Sequence, residues 1–148
     1  MNGATKSWPL SSIVLLVAGM TLVFTGLYFI LIRPPLLPED IRYMRLSPPE
    51  LDAIGLRLAA WLTQVFRVMG GYIFATGVLT VTLATTSFRE HRPAAAVGAT
   101  IGGVASIGLM AAVNFMIDSN FKWILLGMSL PRVFSLGLFS FERRAPAR

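Results

Sequence analysis

An all-α integral membrane protein, a bundle of four spanning helices, is the fold class this chain predicts, and two observations carry the reading. The chain has 148 residues, 55% hydrophobic and only 14% charged, with mean hydropathy +0.68. A soluble domain carries about 25% charged residues. So few charges could not coat a globular surface, but a surface that faces lipid needs none. The second observation is where the charges fall. The chain is uncharged from Lys6 to Arg33, from Arg67 to Arg89 and from Arg92 to Asp118, and between Lys122 and Glu142 only Arg132 interrupts it. Each run is about the 20 residues that cross a hydrocarbon core at 1.5 Å per residue. Residues 1–148 thus form a single transmembrane domain.

The first spanning helix is expected over residues 11–32, with Trp8 as an interfacial aromatic at its start. Its apolar part is longer than a signal-peptide core, so it reads as a retained helix. "RPPLLPEDIRYMRLSPPE" follows. Its prolines forbid a helix throughout, and the segment must lie outside the hydrocarbon. Ser47, Pro48 and Glu50 then form a capping-box signature. It opens an amphipathic helix over residues 48–66, with Glu50, Ala53, Arg57, Ala60, Gln64, Arg67 and Gly71 on one face and Leu51, Leu58, Trp61, Leu62, Val65 and Phe66 on the other. This helix leads, with a bend at Gly70–Gly71, into a second span over residues 66–87. "SFREHRP" is short enough to make the third span, residues 94–117, an antiparallel neighbour. "DSN" leads into the fourth span, residues 121–141, and the tail "ERRAPAR" is expected to fray.

The Lys and Arg balance between the two sides is even and fixes no orientation by count. The reading adopted puts both termini in the cytoplasm and the proline-rich segment outside.

Helices in lipid associate through small residues that let backbones approach. Gly98, Gly102 and Ser106 recur at intervals of four in the third span, Gly71 and Ala75 do so in the second, which also offers Gly77, and the first span offers Gly19 and Gly26. The five spaced by four are the expected packing residues, with the third helix at the centre of the bundle.

Several chemistries are excluded by composition. There is no cysteine, hence no disulfide or thiol centre. No phosphate loop, hydrolase elbow, nucleotide fingerprint or metal-ligand cluster occurs, so neither metal nor cofactor is expected. The single histidine, His91, reads as a solvated loop residue. The net charge of +6 is scattered between helices, which points to anionic headgroups of the lipid bilayer and not to nucleic acid.

The candidate ligand-binding residues are polar groups of the outer half: Tyr28, Arg67, Tyr72, Asn114, Ser129 and Arg132. Arg132 stands out, because an arginine at the centre of a span costs about 2.5–3.5 kcal/mol on insertion scales. Pro131 before it frees the Gly127 carbonyl. Side chains on a helix lean toward its N-terminus, so the guanidinium is expected to lean outward, toward Asn114.

The run "VFRVMGGYIFATGVL", Val65 to Leu79, resembles one found in the DoxX-like group of small four-helix bacterial membrane proteins. The resemblance implies a bacterial cytoplasmic (inner) membrane location and a helix bend held by Arg67, Gly70 and Gly71. Some members of that group are associated with quinone-linked oxidation and others look like accessory subunits, so it transfers no catalytic residue. Two readings follow. The first is a non-enzymatic protein, an accessory subunit partnered with another membrane protein. The second is a bundle that binds an amphipathic ligand, a quinone or lipid, in an outer-half polar cavity around Arg132.

Overall fold

The computed structural model describes residues 8–144. Lys6 and Arg148, which entered the charge balance, lie outside them, as does the side chain of Leu51. The described residues are all-helical: α1 (Leu10–Leu31), α2 (Pro38–Met44), α3 (Pro48–Thr85), α4 (Pro93–Gly103), α5 (Leu109–Met116) and α6 (Lys122–Arg144). A π-helical stretch, Val104–Gly108, joins α4 to α5 into one rod. Among the described residues four rods are long and apolar enough to cross a membrane: Leu10–Leu31, Gly55–Thr85, Pro93–Met116 and Lys122–Arg144. The protein is therefore a multi-pass helical membrane protein.

The start of α1, the loop after α3 and the end of α6 meet at one end of the bundle. Ser11 N–H donates to Glu142 Oε1 at 3.1 Å, and Glu142 Oε2 lies 3.1 Å from His91 Nε2. We call this the terminal end and the other, which carries α2, the capped end.

The tightest packing is between α1 and α3, and this corrects the expectation that the third span is central. Glycines seven residues apart on each helix interlock in antiparallel fashion. A Cβ added at Gly26 would lie 2.5 Å from Phe74 N, and one at Gly77 would lie 2.6 Å from Val23 N. One at Gly70 would fall 2.9 Å from the Gly26 carbonyl. Without side chains at these points the backbones touch, which lipid solvation alone cannot drive. Spacing by seven is the repeat of a left-handed helix pair. The residues expected to pack are elsewhere. Gly71 has open space where its Cβ would be, Ala75 is exposed, and Gly98 and Gly102 meet neighbours only at ordinary contact distance. Ser106 is half-buried and spends its hydroxyl on its own helix, donating to the Gly102 carbonyl at 2.5 Å.

The hydroxyls in the spans follow the same habit. Thr21, Thr25, Thr76 and Thr80 each donate to the carbonyl four residues back, so none of these donors is left bare in lipid.

The amphipathic segment and the second span are one 38-residue helix, α3, starting at Pro48. At 1.5 Å per residue it is about 57 Å long, nearly twice the hydrocarbon thickness of about 30 Å. Its start is the capping box read from sequence, with Ser47 N–H donating to Glu50 Oε2 at 2.9 Å. That bond and the one from the Ser47 hydroxyl hold the Glu50 carboxyl below the ordinary glutamate range. α6 continues through Glu142 to Arg144, and the rest of the tail expected to fray, residues 145–148, lies outside the described residues.

Candidate functional site

The proline-rich segment folds back as a cap. Pro38 occupies the first turn of α2, where its missing N–H costs nothing. Asp40 closes that turn by accepting from Leu37 N–H at 2.9 Å and also pairs with Arg33 at 3.4 Å. The Arg33 guanidinium lies 3.4 Å from the Phe66 ring centroid and 5.3 Å from that of Phe29. Its burial lowers its pKa from the ordinary value, and Asp40 counters this. On the far side, Arg42 Nη2 donates to the Asp118 carbonyl at 2.7 Å, and Ser119 Oγ donates to Glu39 Oε1 at 3.1 Å. Lys122 pairs with Asp118 and holds its carboxyl below the usual aspartate range. The cap thus ties the end of α1 to the turn between α5 and α6.

Beneath it lies a cavity of about 960 Å³. Its walls come from α1 and α3 on one side and from the π stretch, α5 and α6 on the other. α5 packs on α6, and the cavity occupies the space between α5 and α3. Towards the terminal end the rods close, where Leu15, Ala84, Phe88, Ala95, Ala99 and Phe139 form a buried apolar cluster. The wall residues Phe24, Tyr72, Leu109 and Ile124 are also exposed on the outer surface, so the cavity opens sideways toward lipid. Its lining is graded. Glu39, Asp40, Arg33, Tyr28, Asn114 and Ser119 stand at the capped end, whereas Leu22, Ile73, Ile107 and Met128 line the deeper part with Thr21, Thr76 and Ser106, whose hydroxyls donate to carbonyls of their own helices.

Arg132 lies beyond the cavity floor and does not line it. It is 4% exposed and crosses from α6 between α3 and α4. Its Nη2 donates to Thr80 Oγ1 at 2.8 Å and its Nη1 to the Ala99 carbonyl at 3.2 Å; its Nε has no partner. The expected lean toward Asn114 is therefore corrected. Gly103 is the reason: a Cβ there would lie 2.2 Å from Arg132 Cδ, so this glycine leaves the passage through which the aliphatic stem crosses α4. Neutral hydroxyl and carbonyl oxygens hold the guanidinium, and no acid pairs with it among the described residues.

The other candidate residues divide. Tyr28, Tyr72 and Asn114 line the cavity. Asn114 spends one amide hydrogen on the Met110 carbonyl at 2.8 Å. Arg67 is exposed on α3 outside the cavity, and Ser129 donates to the Leu126 carbonyl at 2.6 Å. Sequence reasoning missed Arg33, Glu39, Asp40 and Ser119. The acids and Ser119 are ordinary loop residues in sequence, and only the fold-back of α2 brings them to the cavity.

A second polar cluster was also missed. At the terminal end Glu142 accepts from the Ser11 hydroxyl and N–H and faces His91, whose ring stacks on Phe139 at 5.3 Å. His91 has a left-handed backbone, φ 55°, and is half-buried, not the solvated loop residue expected. Ser11 and His91 both address the carboxylate and not each other, so no hydroxyl-to-imidazole relay is formed. Ser135 Oγ donates to the Ser11 carbonyl at 2.8 Å and completes a latch joining α1, α6 and the loop after α3. Among the described residues no group of His, Cys, Asp and Glu could hold a metal ion. Compared with family models, with curated proteins and with solved structures, the chain matches none.

Proposed function

We propose that this protein takes an amphipathic molecule of the lipid or quinone class from the bilayer into the cavity under α2. The cavity itself carries the reading. At about 960 Å³ it is at the upper end of the range of ligand sites, roughly 300–1,000 Å³, and it is apolar with a few converging polar groups. The lining grades from polar at the cap to apolar in depth, the polarity profile of a molecule with a head and a chain. The chain enters through the side opening, so it need not cross water. Arg132 is not a ligand contact in this reading; it fastens α6 to α3 and α4 below the floor.

The test is equilibrium binding of a fluorescent long-chain probe to the purified protein in nanodiscs. The wild-type chain should bind one probe per protein. Ser106→Phe combined with Thr76→Phe, which fills the cavity from two walls, should weaken binding at least tenfold while leaving the thermal melt in place. Equal binding by the filled variant would refute the site.

The accessory-subunit reading rests on a different observation. α1 ends near Phe66 and Ile30 packs at Gly70, so the first part of α3 runs past it, with Leu56 and Trp61 exposed. A protein partner would cover these side chains. Purification from native membranes in mild detergent distinguishes the two: a partner at fixed stoichiometry, lost on Leu56→Glu and Trp61→Glu, supports the subunit reading. Kinship with the DoxX-like group would rest on Val65–Leu79, which contributes Phe66, Met69, Tyr72, Ile73 and Thr76 to the cavity wall. We place the protein in the bacterial inner membrane with both termini cytoplasmic. An impermeant thiol reagent on intact cells should then label Tyr43→Cys and spare His91→Cys.

A further inference from the structure

We propose that the cavity selects, among amphipathic molecules, those whose head carries a protonated amine, with Glu39 as the group that receives it. The inference rests on the binding reading above and adds the chemistry of the head.

Glu39 is only 2% exposed and lines the cavity at its capped end. An ionised carboxylate offers about four acceptor positions. Here the hydroxyl of Ser119 supplies one hydrogen bond, to Oε1. No ion pair among the described residues involves Glu39. A buried carboxylate held by one neutral donor is short of both charge and hydrogen-bond donors.

Among the described residues Arg33 is the only cation lining the cavity, and its charge is already directed elsewhere. Its bond goes to Asp40 at 3.4 Å, and its face lies over Phe66 and Phe29. Glu39 contributes to the field at Arg33 but more weakly than Asp40 does. Arg42 turns away to the Asp118 carbonyl, and Lys122 pairs with Asp118. The lining therefore holds two carboxylates against one guanidinium. An ammonium head balances that excess and supplies the missing N–H donors. A carboxylate or phosphate head would add to the negative charge and could gain Arg33 only by displacing Asp40. Tyr28, also in the lining, adds an aromatic ring to the same end of the cavity.

Three probes of equal chain length, a hexadecyl amine, alcohol and carboxylic acid, compete for the fluorescent probe bound in nanodiscs of neutral lipid at pH 7. The amine should compete about tenfold better than the alcohol, the difference expected for a charge-assisted hydrogen bond over a neutral one. The acid should compete worst. Glu39→Gln keeps an acceptor for Ser119 but removes the charge, and should bring the amine to the level of the alcohol while the alcohol's affinity stays put. The wild-type order decides the matter even where the variant fails to fold. Equal competition by all three heads overturns the selection and leaves the cavity reading standing. An acid that outcompetes the amine overturns the selection as well. If none of the three competes and the fluorescent probe does not bind, both the selection and the cavity reading fall.

Discussion

Gly26→Leu should destabilise the protein by about 3 kcal/mol or prevent its folding, the upper part of the range for overpacked positions. A Cβ at this position would lie 2.5 Å from Phe74 N and 2.7 Å from Phe74 Cα. Those atoms belong to backbone and cannot rotate away. Relief requires α1 and α3 to separate, and the seven-residue spacing of Gly19, Gly26, Gly70 and Gly77 means that separation at one contact opens the others. Gly71→Leu is the control, because a Cβ there meets nothing within 4 Å. Thermal unfolding in detergent should show a large loss for position 26 and a small one for position 71. The opposite order would mean that the two helices do not meet along this glycine seam.

Gly103→Ala should be harmful only while Arg132 is present. The added methyl falls 2.2 Å from Arg132 Cδ, and the arginine is pinned at its far end by Thr80 and Ala99. In an Arg132→Ala background the three nearest contacts of the methyl, all to the arginine side chain, are gone, and alanine's better helix propensity makes the change neutral or favourable by about 0.5–1 kcal/mol. The double-mutant cycle over these two positions should therefore show coupling of about 1–3 kcal/mol, as for residues in contact. Additive effects would mean that the arginine stem does not cross α4 at Gly103. The absolute effect of removing Arg132 is less informative. It relieves the cost of a charge at membrane depth but leaves an unfilled passage, two terms of opposite sign.

The parts of this structure that the chain declares in advance are those set by local chemistry. Charge gaps mark the four spans because lipid penalises every charge inside them. Ser47 and Glu50 mark the start of α3 because a capping box closes within four residues. Arg132 was conspicuous for its cost alone. What the sequence does not declare depends on residues far apart in the chain. The direction of Arg132 is decided by an absent side chain on α4, which no pattern within α6 reveals. Gly19, Gly26 and Gly77 are visible as small residues but the seam they form is not, because spacing by four is the familiar small-residue signal, whereas this antiparallel pair repeats by seven. Glu39 is an unremarkable acid in a proline-rich segment until α2 folds back and buries it against Ser119. Glu142 reads as part of a polar tail, yet the Ser11 backbone and His91 hold it at the terminal end.

The claim that most needs a direct answer is that the space between α3 and α5 holds a ligand. A crystal structure grown from a lipid mesophase would decide it. The account predicts elongated density running from Glu39 and Tyr28 at the cap, past Ile73 and Ile107, to the floor at Met128. Arg132 should remain on Thr80 below it, outside the density. A structure in which α5 closes onto α3 and the side chains of Ile73 and Ile107 meet, with no such density, would contradict it.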